Sequence, residues 1–217
     1  NQTYSDAAIQ CSLMIKSLFR LSLRMVTGFV QSLTKLCRLD WKAPDYSTIC
    51  RRQKHIDIAI RYQKSRDGLH LLVDSTGLKF LGEGEWKRKK HQPEYRRQWR
   101  KLHIGIDAET LQIRAVQLTT NNVSDSQVLE DLLDQIPLDE QIDSVYTDGA
   151  YDTKHCRKVI SDRQAHAVIP PRKNAKPWKD KKLRSLERNE LLKTVKCLGR
   201  AIWKKWSGYH RRSLFET

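Results

Sequence analysis

Two aspartates each close a short apolar run and stand before turn-forming residues. Asp74 ends "LHLLVD" (69–74) ahead of "STG", and Asp148 ends "IDSVYTD" (142–148) ahead of "GAYD". If these runs are neighbouring strands of one sheet, the two carboxylates lie side by side. Like charges so placed are costly unless a cation neutralises them. Hard oxygen donors suit Mg²⁺, and two such ions about 3.5–4 Å apart activate a hydroxyl and stabilise a leaving oxygen at phosphorus. A third carboxylate, Glu216, follows Tyr209 and Arg212 in "YHRRSLFET". Spacings of three and four predict one face of an α-helix.

Each of these residues, taken singly, has an ordinary reading. Aspartate at a strand end is commonly a turn residue. Arg212 and Glu216 also have the spacing of a surface ion pair, worth about 0.3–0.5 kcal/mol. Asp107, Asp125 and Asp152 are competing carboxylates in the same stretch. The joint placement of Asp74, Asp148 and Glu216 in a basic chain is what favours them.

The elements that must position this set are legible in the periodicity. "KLHIGID" (101–107) and "LQIRAVQLTT" (111–120) alternate as strands, with "AET" between them as a tight hairpin. "SDSQVLEDLLDQI" (124–136) predicts a helix capped by Ser124, and "AHAVIP" (165–170) a further strand. The order β-β-β-α-β-α-β-α implies a mixed sheet whose first three strands meander. Ahead of it, residues 5–39 predict helix with a possible break at Gly28. "APDYSTICRR" then adds cap-capable Asp45, Ser47 and Thr48 and the pair Arg51 and Arg52. Such a helical bundle is compatible with a DNA-binding module, and equally with a helical pair that merely packs on the next domain.

Charge narrows the partner. The 217 residues carry 41 Lys and Arg against 25 Asp and Glu, a net +16. An excess of this size favours a polyanion, since each phosphate neutralised releases a counterion. Two stretches concentrate it. Residues 86–101 contain Lys87, Arg88, Lys89, Lys90, Arg96, Arg97, Arg100 and Lys101 with Trp86, Tyr95 and Trp99 between them. Residues 172–212 hold fifteen basic and three acidic residues, with Trp178, Trp203 and Trp206 interspersed. Basic runs laced with aromatics point to a nucleic-acid groove. The tryptophans would either stack on an unpaired base or serve as packing residues. No apolar run approaches the roughly 18 residues of a membrane span. The five cysteines show no C-x-x-C spacing, so reduced thiols are expected.

"VDSTGLK", "GEGEW" and "WRKLHIGID", then "NVSDS" and "TDGAYD", then "SGYHRRSLFET" occur in the order of the three catalytic blocks of a known family. The sequence resembles an insertion-sequence transposase of the DDE superfamily, in the branch with a Y-x-x-R-x-x-x-E-x6-K signature. The resemblance implies a ribonuclease H-like α/β domain over residues 66–217, preceded by an all-α, helix-turn-helix-like DNA-binding module over residues 1–62. It implies Asp74, Asp148 and Glu216 as catalytic metal ligands for Mg²⁺ or Mn²⁺, two ions in all. Tyr209 and Arg212 would flank the scissile DNA end, with Arg51, Arg52 and the eight basic residues of 86–101 as further DNA contacts. It implies cleavage and strand transfer on double-stranded DNA by a homodimer. A bacterial cytoplasmic, nucleoid-associated location follows, with no membrane and no small-molecule substrate. The signature lysine would fall seven residues beyond Glu216. The expectation is therefore a copy truncated at both ends, its catalytic domain incomplete at the C-terminus. The alternatives are a catalytically inactive DNA-binding remnant of such a gene, or a structure-specific nuclease on the same scaffold.

Overall fold

A computed structural model describes residues 4–56, 62–65, 67–79 and 99–215. The chain forms two compact units, Asn1–Ile60 and Arg61–Thr217.

The first unit is built from α1 (Asp6–Leu18), α2 (Leu23–Leu36) and α3 (Tyr46–Arg52). Each helix starts at a side-chain cap of the type that satisfies orphan amides. Ser5 accepts from Ala8 N–H at 3.2 Å, Ser22 from Met25 N–H at 3.4 Å and Asp45 from Thr48 N–H at 2.8 Å. Bonds from Ser47 and Thr48 hold the Asp45 carboxyl down at about 2. The break in the long helical stretch falls at Phe19–Ser22, not at Gly28. Arg20 takes a left-handed φ of 51°, and Ser22 restarts the helix as a cap. Gly28 lies inside α2 facing open space, where glycine costs propensity without ending a helix. Ile9, Val26 and Ile49 form a small core where the three helices meet.

The second unit is a five-stranded sheet in the order β3-β2-β1-β4-β5. Its strands are β1 (Leu69–Lys79), β2 (Trp99–Asp107), β3 (Ile113–Thr120), β4 (Ile142–Tyr146) and β5 (His166–Val168). β1, β2 and β3 pair antiparallel, whereas β1–β4 and β4–β5 pair parallel. The parallel pairings need crossovers, and helices α4 (Asp125–Asp134) and α5 (Lys154–Asp162) supply them. This is the ribonuclease H-like arrangement expected from the sequence. Just before β1, Gly68 adopts φ 88°, and a Cβ there would run into the Asp143 carboxylate, so the entry to β1 requires glycine.

Strand alternation divides the core between the two sheet faces. Leu69, Leu71 and Val73 of β1 pack with Val128, Leu129, Leu132 and Leu133 of α4 and Val159 and Ile160 of α5. Leu72 points the other way, into a smaller cluster with Tyr146, Val168, Trp203 and Tyr209. The second cluster is closed by α6 (Leu183–Leu198), α7 (Arg200–Trp206) and a 3₁₀ helix over Tyr209–Phe215. Gly199, at φ 85°, makes the joint between α6 and α7.

Candidate active site

Register places the two aspartates. Leu72 pairs with Tyr146 across the parallel β1–β4 ladder, and both side chains enter the same core cluster. Asp74 and Asp148 each follow by two residues, one period of side-chain alternation. They therefore stand on the face occupied by Tyr209, Asp148 just past the end of β4 and Asp74 midway along β1, which runs on to Lys79 instead of ending at the aspartate as the apolar run suggests. Both are half-buried. Asp74 Oδ1 accepts from Ser75 N–H at 2.9 Å, and Asp148 Oδ1 accepts from Ala150 N–H at 2.8 Å.

The third sequence block arrives at the first. Arg212 donates from Nη2 to Asp74 Oδ2 at 2.6 Å and from Nη1 to the Tyr209 hydroxyl at 3.0 Å. Burial disfavours the charged guanidinium, yet bonds to Asp74 and Tyr209 outweigh it and raise the Arg212 pKa. Tyr209 is itself buried against Trp203, with ring centroids 5.5 Å apart. The helix carrying these residues is 3₁₀ rather than the α-helix that the spacing predicts. In a three-residue turn, positions i and i+3 eclipse, which is what stacks Arg212 over Tyr209.

The other expected site residues divide. Glu216 lies outside the described residues, as do Lys87, Arg88, Lys89, Lys90, Arg96 and Arg97. Arg100 and Lys101 are half-buried on β2. Lys101 Nζ donates to the Val123 carbonyl at 3.1 Å and lies 3.2 Å from Asp125. Arg51 is exposed, whereas Arg52 donates to the Tyr4 carbonyl and pairs with Asp6, tying α3 to α1. Trp203 is core, Trp206 is 70% exposed, and Trp178 lies against Arg188. Among the competing carboxylates, Asp107 sits at the far end of the antiparallel β2 and Asp152 is buried between two arginines.

Of the site's neighbours Tyr151 escapes a sequence reading, whereas a lone His103 on a strand reads as a packed or hydrogen-bonded residue. Tyr151 is buried with its hydroxyl unbonded, and burial together with the charges of Asp125, Asp74 and Asp148 raises its pKa. His103 is fully buried, with Nε2 2.9 Å from Thr119 Oγ1 and Nδ1 3.9 Å from Asp125. Burial pushes its imidazole down; Asp125 opposes this and Lys101 adds to it. Arg188 had a signal: Ser185, Arg188 and Leu192 share the 3–4 spacing of a buried helix face. An arginine on such a face needs a buried acceptor.

A family model described as a transposase DDE domain matches residues 65–217. A second model with the same description matches residues 1–83. The chain belongs to this transposase DDE-domain family. Among solved structures, one that the domain resembles is titled a Mos1 transposase paired-end complex with left transposon end, at 8% identity and a TM-score of 0.33. That match covers 77% of this chain and spans 59% of the length of the other.

The donor set of the DDE domain fits a hard divalent cation. Mg²⁺ takes one or two carboxylates and fills its remaining positions with water or substrate oxygens. Asp74 and Asp148 are two such carboxylates, half-buried, one on β1 and one just past the neighbouring β4. Among the described residues no group of three or more His, Cys, Asp or Glu side chains is placed to hold a metal. Among the described residues, no helix is long and apolar enough to cross a membrane.

Proposed function

We propose that this DDE domain catalyses divalent-metal-dependent DNA cleavage and strand transfer at the ends of an insertion sequence. It acts as a dimer on double-stranded DNA in the bacterial nucleoid. The observation that carries the reading is the Arg212–Asp74 pair. It joins residues 138 positions apart, on the strand next to the one that leads into Asp148. A chance surface pair would not select two blocks that already resemble the family in sequence.

Asp74, Asp148 and Glu216 would hold Mg²⁺ or Mn²⁺. Bound there, the metal would supply an activated oxygen nucleophile and stabilise charge on the leaving oxygen. In cleavage a water oxygen bonds to phosphorus as the bond to the 3′-oxygen breaks. In strand transfer the freed 3′-hydroxyl oxygen bonds to a target phosphorus and a target oxygen leaves. Little protein proton transfer is needed, because phosphoryl transfer depends on positioning and charge. Arg212 is fixed by Tyr209 and Asp74 and keeps its charge at any working pH. Its planar fork suits a phosphate at the scissile end. Arg51, Arg100 and the basic residues 87–97 take backbone phosphates. Lys101 and Arg52, bonded within the protein, hold the surfaces that carry them.

The test is cleavage of a supercoiled plasmid bearing the element's ends in Mn²⁺ or Mg²⁺, with Asp74→Ala, Asp148→Ala and Glu216→Ala alongside. Metal-dependent cleavage lost in all three variants is expected. Salt-sensitive DNA binding without cleavage by the unaltered chain would favour the inactive remnant. Cleavage surviving the aspartate substitutions would sink the site assignment.

A further inference from the structure

Asp148 begins a five-residue segment that two distant arginines grip at both ends. After it, Gly149–Tyr151 form a single 3₁₀ turn with Asp148 as its cap. Two backbone bonds of 3.2 Å, Tyr151 N–H to Asp148 O and Asp152 N–H to Gly149 O, span that turn. A helix this short leaves carbonyls without internal partners and frays unless something outside satisfies them. Arg172, from the stretch after β5, does so at Ala150 and adds a second bond at Gly149. Its Nε donates to the Gly149 carbonyl at 3.1 Å and its Nη2 to the Ala150 carbonyl at 2.8 Å.

The other end of the segment is Asp152, 6% exposed. It accepts from Arg157 Nε at 3.2 Å and from Arg188 Nε and Nη2 at 2.9 and 2.7 Å. Arg188 is 3% exposed and also donates to the Lys176 carbonyl at 2.9 Å. Its guanidinium lies 4.2 Å from the centre of the Trp178 ring. Asn189 brackets the Trp178 backbone, accepting from its N–H at 2.8 Å and donating to its carbonyl at 2.9 Å. The basic stretch 172–189 is thus bonded to the aspartate loop at Gly149, Ala150 and Asp152.

We propose that Arg172 and Arg188 are positioning residues for Asp148, holding the loop after β4 so that the carboxylate keeps one orientation. A ligand carboxylate has to stay within about 0.5 Å of its working place, which a lone 3₁₀ turn does not secure. The proposal rests on the reading of Asp148 as a metal ligand, and its test separates the two.

Amide exchange at Ala150 reports the Asp148 cap directly, because that N–H bonds the carboxylate. It is measured in the full chain and in Arg172→Gln, Arg188→Gln, Arg188→Lys and the charge control Lys173→Gln. Mn²⁺ binding is measured by electron paramagnetic resonance on the same samples. Exchange at Ala150 should rise about tenfold or more in both glutamine variants while Leu71 and Val145 stay protected. The Mn²⁺ dissociation constant should rise about 10- to 100-fold. Lys173→Gln should change neither, and Arg188→Lys should rescue only in part, since an ammonium cannot reproduce the fork. Arg172 is exposed, so Arg172→Gln decides the matter if Arg188→Gln opens the core. Unchanged Ala150 exchange in Arg172→Gln would overturn the proposal. If Asp148→Asn binds Mn²⁺ as well as the unaltered chain, the ligand reading fails, while the exchange data still rule on the clamp.

Discussion

The antiparallel pair β1–β2 carries two aspartates, Asp74 midway along β1 and Asp107 at the end of β2, and the surroundings of the two are opposite. Asp107 is fully buried and accepts from Glu109 N–H at 3.0 Å, Thr110 Oγ1 at 2.8 Å, Ser65 Oγ at 2.9 Å and Arg114 Nη2 at 3.3 Å. Burial alone would raise its carboxyl, but these donors hold it below the ordinary carboxylate range. Arg114 is shared with Glu140 at 3.2 Å and lies 4.0 Å from the Tyr62 ring centre. Asp74, by contrast, has a neighbouring amide and one arginine, and Asp148 the Ala150 amide. An aspartate that only closes a turn has its lone pairs occupied by the fold. One that is to bind something else stays reachable.

The contrast can be broken by exchanging the expected losses. Asp74→Asn or Asp148→Asn should reduce cleavage by about 10³-fold or more, the scale of lost transition-state charge stabilisation. The melting temperature should stay nearly unchanged, and a large drop in it would make these two aspartates structural. Asp107→Asn should do the reverse. Arg114 would keep only Glu140 as a buried charge partner, a loss of up to about 3–5 kcal/mol, read from denaturant unfolding. Cleavage per folded molecule should persist, and a selective loss of cleavage would dissolve the distinction.

A smaller effect sharpens the picture on the strand beside Asp74. The native imidazole of His103 titrates below its ordinary value of about 6.5. Above that pH both states are neutral and it contributes no pH dependence. As pH falls below it, the unfolded chain takes up a proton before the native one, so stability drops by up to about 1.4 kcal/mol per pH unit. His103→Gln should flatten this acid slope. An unchanged slope would assign it to other groups. The smallest expected change is Thr119→Val, which removes the partner of His103 Nε2 and should cost about 1 kcal/mol at neutral pH. It should leave cleavage intact.

The order of elements along the chain, both crossovers and the placing of Asp74 and Asp148 beside each other's strands were legible because period-2 runs are local signals, but β1 runs on to Lys79, so Asp74 does not end its strand as the apolar run suggests. The break at Arg20 was not, since a left-handed arginine leaves no compositional mark, whereas Gly28 is conspicuous and harmless. Likewise Leu111, at φ 57°, delays β3 to Ile113. The Arg212–Asp74 pair and the Arg188–Asp152 fork join residues 138 and 36 positions apart. Spacing rules reach one or two turns, so they find the residues and not the partners. The basic stretch 172–212 read as one charged face. In the structure Arg188 turns inward, Arg172 bonds the aspartate loop from an exposed position, and Trp206 turns outward.

The 138-residue separation within the Arg212–Asp74 pair also has a consequence in time. At synthesis rates of about 5–20 residues per second, Asp74 exists for roughly 7 to 28 s before Arg212 is made. The hairpin of β1 and β2 can form early in that interval, and β4 can join it once Tyr146 is available. The arginine contact closes last. A ribosome-bound chain would therefore carry a paired sheet and an unarmed site, and competence would arrive as a late event of translation.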